Sequence, residues 1–171
     1  GTKFSQRRSG DSRIIEMKLL IITQKVNIND SVLGFFHRWI EEFAKHCERV
    51  TVICLEQGEY NLPPNVKVLS LGKESGRSRL KYLWRFYKYL WQERKNYDSV
   101  FVHMNQEYVL LGWKFWKLWG KKIFLWRNHR QGNWLTSLAV FLSDQVFYTS
   151  TASFTARFKK SKQMPVGVDT V

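Results

Sequence analysis

The sequence predicts an α/β domain: a Rossmann-like, doubly wound, mostly parallel sheet with helices on both faces. Three observations predict it. Strand and helix signals alternate from Met17 onward. The strand candidates are short, nearly continuous apolar runs, as in strands buried on both faces. The connections have ordinary lengths, so right-handed crossovers build a parallel sheet flanked by helices.

The elements follow in order. "KLLIITQ" (18–24) is the first strand. After the polar "KVNINDSV", Phe35, Phe36, Trp39, Ile40 and Phe43 recur at helical spacing through Cys47. "VTVICL" (50–55) is a strand, "QGEYNLPPN" a proline-broken loop and "VKVLSL" (66–71) a shorter strand. "SRLKYLWRFYKYLWQERK" (78–95) is the clearest helix. "SVFVHM" (99–104) is a strand, and "QEYVLLGWKFWKLW" (106–119) a helix stopped by Gly120. "KKIFLW" (121–126) is a strand, "NWLTSLAVFLS" (133–143) a helix and "QVFYTS" (145–150) a strand. "TASFTARFKK" (151–160) reads as a short helix opened by Thr or Ser, and "QMPVGVDTV" ends the chain.

The 171 residues suffice for one domain with a full core and are too few for two ordinary ones. Lys and Arg number 28 against 14 Asp and Glu, a net charge of +14 that favours an anionic partner. Aromatic residues make up 16% of the chain and concentrate with the basic ones between Tyr82 and Trp134. That mixture suits a membrane surface, where rings sit among headgroups, or single-stranded nucleic acid, where bases stack on rings. Cys47 and Cys54 form no CxxC and no zinc-like spacing, so they read as buried thiols in a reducing compartment, with no metal site expected. No apolar run reaches the roughly 18–20 residues that span a bilayer. Residues 1–16 are polar and charged, lack the apolar core of a signal peptide, and are set apart as a tag or disordered leader; 17–171 form the domain.

In a doubly wound sheet, ligands bind at the carboxyl ends of the strands near the switch point. Three segments fall there. The loop from Lys25 to Gly34 has neither a GxGxxG nor a P-loop pattern. Ser31 can cap the following helix, and Gly34 either lets a ligand approach its N-terminus or serves packing alone. "HMNQEY" places His103 and Asn105 in a strand-to-helix turn, as candidates for sugar hydroxyls; helix capping by Asn105 and dipole compensation by Glu107 are the plainer alternatives. "RNHR" (127–130) is the sharpest feature: His129 between Arg127 and Arg130, just past a buried strand, suits phosphate or sugar binding or proton transfer.

The helix at 78–95 carries two apolar stripes. Leu80, Leu83, Trp84, Tyr87, Leu90 and Trp91 form the stripe expected to face the core. Tyr82, Phe86 and Tyr89 widen the arc, and with Arg79, Arg85 and Lys88 they form the expected contact with an anionic membrane surface.

"MKLLIITQKVNINDSVLGFFHRWIEEFAKHCERVTVICLEQGEYNLPPNVKVLSL", "DSVFVHMNQEYVLLG", "KKIFLWRNHR", "DQVFYTSTASFTARF" and the closing "VGVDT" together resemble the N-terminal domain of family 4 glycosyltransferases of the GT-B fold. The resemblance covers Met17 to Thr170 and rests on the order and spacing of these segments. It implies one half of a two-domain, retaining enzyme, with a nucleotide-sugar donor held mainly by a C-terminal domain that carries a Glu-x7-Glu signature. That domain is not in this sequence, so the isolated chain is expected to be inactive, and a truncated enzyme and a split subunit both remain open. The resemblance makes His129 the cleft histidine that contacts the transferred sugar. It places Gly34 in the first loop, where the family often has two glycines and this chain has one. It implies no cofactor, a glycan or lipid-linked acceptor, and a position on the cytoplasmic face of the membrane. Gly34, His103, Asn105, Arg127 and Arg130 are the expected acceptor-binding residues, the two arginines on a phosphate or headgroup. The rivals are a basic nucleic-acid-binding module, for which no RNP-type motif or recognition helix speaks, and a noncatalytic membrane-docking subunit.

Overall fold

The computed structural model describes residues 15–165. Seven strands form one sheet: β1 (Ile15–Val26), β2 (Cys47–Gln57), β3 (Val66–Ser70), β4 (Ser99–His103), β5 (Lys122–Trp126), β6 (Gln145–Tyr148) and β7 (Ser161–Gln163). Their order is β3-β2-β1-β4-β5-β6-β7, and every pairing is parallel. Four helices connect them: α1 (Gly34–His46), α2 (Arg79–Glu93), α3 (Gln106–Leu118) and α4 (Trp134–Leu142). The chain steps outward from β1 to β2 and β3, then crosses back through α2 to β4. The direction reverses between β1 and β4, which puts the switch point at their carboxyl ends.

Each strand alternates its side chains between two cores. Leu19 and Ile21 of β1 join Phe36, Ile40 and Ala44 of α1 on one face. Leu20 and Ile22 join Phe86 and Leu90 of α2, Val109 and Trp116 of α3, and Ala139 and Val140 of α4 on the other. The predicted class, Rossmann-like with helices on both faces, is the class observed.

Several local readings change. β1 begins at Ile15, inside the span set aside as a leader, and pairs there with Cys47. The short helix expected at 151–160 is only a 3₁₀ turn, Phe154–Arg157, followed by the unexpected edge strand β7. The hydroxyls of Ser153 and Thr155 donate to the Arg127 carbonyl (3.1 and 2.8 Å), side-chain bonds that compete with a helical path. Asp30, not Ser31, holds the turn before α1: its Oδ1 accepts the amides of Val32 (3.0 Å) and Leu33 (2.7 Å). Those amides, with Lys25 beside them, hold the Asp30 carboxyl at a pKa of about 2. Gly120 does end α3, at φ 67°. Residues 1–14 and the "VGVDT" segment lie outside the described residues.

Candidate functional site

The carboxyl end of β5 runs into a loop, residues 127–131, that is tied down at Arg127, Asn128, His129 and Gln131. Arg127 is buried, not free to meet a ligand as expected. Its Nε donates to Gln106 Oε1 at the start of α3 (2.5 Å), and its Nη1 donates to the Gln131 carbonyl (2.9 Å). A guanidinium in this position is a strut: its planar fork joins the β5 loop to the β4 loop. Burial pushes its pKa down, and the charge of Glu107 opposes that shift. Asn128 Oδ1 accepts the amides of Thr149 (3.1 Å) and Ser150 (2.8 Å), which fixes the loop against the end of β6.

On this anchored base stand His129 and Arg130, both exposed. The Gln131 amide donates to His129 Nδ1 at 3.0 Å, and the Gln131 carbonyl lies 3.0 Å from the same nitrogen. In either ring state Nδ1 stays engaged with Gln131, and Nε2 stays outside the loop's own bonds. The imidazole is therefore oriented by its backbone while one nitrogen remains available to a ligand or a proton.

The end of β4 gives a different picture. His103 is 1% exposed and does not reach the crevice as an acceptor ligand would require. Its ring stacks on Phe36 (3.8 Å between centroids) and Trp126 (5.0 Å), and its Nδ1 lies 3.0 Å from Thr23 Oγ1. Burial pushes its pKa down to about 3, so it is neutral at physiological pH. Its Nε2 has no hydrogen-bond partner among the described residues, nor does the neighbouring Trp126 Nε1. The cause is α1, whose first turn closes over the end of β4 and takes the histidine into an aromatic stack.

Directly after it, Met104 adopts a φ of 69° and the Asn105 amide donates to the His103 carbonyl at 2.9 Å. This is a γ-turn around a non-glycine residue, a strained conformation. Asn105 occupies the N-cap position of α3, but its side chain makes no capping bond. It is half-buried, and its carboxamide has no partner among the described residues. Gly34 serves packing: a Cβ there would lie 3.1 Å from the Ile28 carbonyl, and its amide is already donated to the Asp30 carbonyl (3.0 Å). The anion-accepting helix start considered for this loop is thus used internally.

α2 buries Leu90 and half-buries Tyr87 of its expected core stripe but turns the rest of that stripe outward. Phe86, expected at the membrane, is 1% exposed and sits in the core with Leu90. Tyr82, Arg85 and Tyr89 are half-buried because their polar ends find backbone carbonyls: Tyr82 that of Gly76 (2.8 Å), Arg85 that of Leu71 (3.0 Å) and Tyr89 that of Ser70 (3.2 Å). Leu80, Trp84 and Trp91, from the stripe expected inside, are 80%, 63% and 57% exposed. Arg79 and Lys88 are exposed as expected, and Lys88 Nζ stands 4.9 Å over the Trp84 ring. Leu118 of α3 and Phe141 of α4 are also exposed. No helix among the described residues is long and apolar enough to cross a membrane. No group of three or more His, Cys, Asp or Glu among them could hold a metal ion.

Sequence reasoning missed Gln106 and Gln131, which hold Arg127 and His129, and also Arg157, which stands across from Arg130 on the 3₁₀ turn. Gln106 left no distinct signal, because it stands among other polar residues in "HMNQEY".

No family model matches the chain, and no curated protein matches it. Solved structures do. The lipopolysaccharide outer core galactosyltransferase WaaB, in its apo form, aligns with a TM-score of 0.57 at 17% identity, over 91% of this chain and 48% of that one. MurG of Acinetobacter baumannii aligns with a TM-score of 0.54 at 10% identity, over 88% of this chain and 46% of that one. The first is a galactosyltransferase by name, and the likeness to both establishes the fold: this chain has a Rossmann-like architecture that matches half of each structure, one half of a GT-B fold. The chain spans about half the length of these structures.

Proposed function

We propose that this chain is the acceptor-binding half of a retaining glycosyltransferase of family 4, which moves a sugar from a nucleotide-sugar donor to a glycan or lipid-linked acceptor at an anionic membrane surface on the cytoplasmic side. The observation that carries the reading is His129. It is exposed on a loop fixed by Arg127 and Asn128, at the carboxyl edge of a parallel sheet, with Nδ1 committed to Gln131. Fixed orientation at the place where this architecture takes ligands is what a sugar-contacting imidazole needs.

In this reading a donor-binding domain closes over the edge and excludes water. His129 presents Nε2 to a hydroxyl of the transferred sugar or of the acceptor. Asn105 offers its unspent carboxamide to acceptor hydroxyls, and Arg130 a cation to phosphate. His103, Arg127 and Gly34 shape the site from beneath without touching the acceptor. The membrane side of the proposal uses the exposed half of α2: Trp84 and Trp91 at headgroup level, with Lys88 and Arg94 over those rings.

The test is His129→Ala in the complete two-domain protein, assayed with labelled nucleotide sugar. Transfer is expected to drop by about two orders of magnitude or more, a loss within the range of general acid–base contributions, while the fold is unchanged. Near-normal turnover would remove His129 from the reaction.

A further inference from the structure

Beside His129 lies a cavity of about 450 Å³ whose lining includes Arg130, Tyr148, Thr151, Phe154 and Arg157. It opens where the β5 loop meets the 3₁₀ turn after β6. Both arginines are exposed, and neither has a carboxylate partner among the described residues. The Tyr148 and Thr151 hydroxyls likewise donate to no described residue. Two cationic and two hydroxyl-bearing side chains thus line one open concavity, with neither cation neutralised by a described carboxylate.

The walls are also rigid. The Phe154 amide donates to the His129 carbonyl (3.0 Å), and Ser153 Oγ donates to the Arg127 carbonyl (3.1 Å). Gly132 lets the Phe154 ring press against the loop, since a Cβ there would fall 2.3 Å from that ring. Arg157 in turn lies flat on the ring, its guanidinium carbon 3.4 Å from the centroid. The ring therefore fixes the plane of the guanidinium before any ligand arrives, which reduces the ordering cost of binding.

We propose that this cavity is a phosphate-binding subsite, with Arg130 and Arg157 as its two cationic walls and Tyr148 and Thr151 as neutral donors. Two guanidinium forks suit the tetrahedral oxygens of a phosphate or diphosphate better than they suit a neutral sugar. Which molecule supplies the phosphate, a phosphorylated acceptor or the donor's diphosphate, rests on the glycosyltransferase reading; the binding itself does not.

The test is calorimetric titration of the 171-residue chain with inorganic pyrophosphate at 0.15 M salt, beside Arg130→Gln, Arg157→Gln and Arg77→Gln. Arg77 is exposed and lies outside the cavity. Loss of one charge-assisted contact is expected to weaken binding about tenfold in each cavity variant, with the Arg77 variant unchanged. Arg157→Lys, which keeps the charge but not the planar fork, is expected to fall between. The site is overturned if pyrophosphate does not bind, if both cavity variants bind like the parent, or if the Arg77 variant weakens as much, since diffuse positive charge then explains the binding. A second titration with uridine diphosphate separates the sources. Binding tighter than pyrophosphate, and lost in the same variants, upholds the subsite and assigns it to the donor; equal binding upholds it and assigns it to a phosphorylated acceptor. Failure here leaves the His129 transfer assay standing, and failure of that assay leaves this binding intact.

Discussion

Thr23 and His103 meet at the carboxyl ends of the neighbouring strands β1 and β4, with Oγ1 3.0 Å from Nδ1 and both side chains buried. Burial holds the folded pKa of His103 near 3, against about 6.5 in the unfolded chain. Between those values the unfolded state binds a proton that the folded state refuses. The resulting stability is fully present above pH 6.5 and is lost as pH falls toward 3. Between pH 7 and pH 5 this one group is expected to cost about 2 kcal/mol of unfolding free energy. Urea denaturation at both pH values checks it. His103→Phe, which keeps the stack with Phe36 and Trp126, is expected to lose that share of the slope; an unchanged slope would mean that His103 is not the group responsible.

Arg127 and Gln106 are expected to act as one unit. Arg127→Lys gives up the fork, and Gln106→Leu leaves the buried Nε of Arg127 without its acceptor. Each is expected to destabilise the chain by about 2–3 kcal/mol. The double variant is expected to cost at least about 1 kcal/mol less than the two single losses together. Simple additivity in the denaturation midpoints would show that the two side chains act separately.

The two faces of α2 separate stability from surface binding. Phe86→Ala removes a buried ring and is expected to cost about 3–5 kcal/mol. Trp84→Ser with Trp91→Ser touches exposed rings and is expected to change stability by less than about 1 kcal/mol. The same pair is expected to abolish most co-sedimentation with vesicles rich in anionic lipid. Retained vesicle binding, or equal loss of binding to a labelled oligonucleotide, would count against a lipid role for this face.

Gly112 sits under the buried Trp116, where a Cβ would fall 2.4 Å from the indole. Alanine is the better helix former by about 1 kcal/mol, yet Gly112→Ala is expected to destabilise by about 1–3 kcal/mol because the ring cannot retreat. A stabilised variant would show that Trp116 has room to move.

Much of the molecule was legible in its residues. The runs 18–24, 50–55, 99–104 and 121–126 each hold or lie within a strand, because a short, nearly continuous apolar run suits a strand covered on both sides. The place of His129 was legible too, since a residue just past a parallel strand is carried to the carboxyl edge of the sheet whatever its neighbours do. The 3₁₀ turn and β7 were not legible. Their path depends on Ser153 and Thr155 reaching the Arg127 carbonyl, more than twenty residues away in sequence.

By itself the sequence determined the class of fold and the order of its elements as far as β6, because periodicity and apolar run length are local properties. Only the tertiary structure decided which groups at the carboxyl edge are free. Arg127 and Arg130 are near-identical in local context, yet one is a buried strut and the other an exposed cation, because the start of α3 offers Gln106 to the first alone. His103 ends one strand and His129 lies just past the next, yet α1 closes over the first and leaves the second open. On α2, two stripes of similar hydrophobicity competed for the core. Phe86 of one and Leu90 of the other went in, with Tyr82 and Tyr89 half-buried beside them because Gly76 and Ser70 supply carbonyls for the tyrosine hydroxyls, which a bare comparison of apolar stripes cannot reveal.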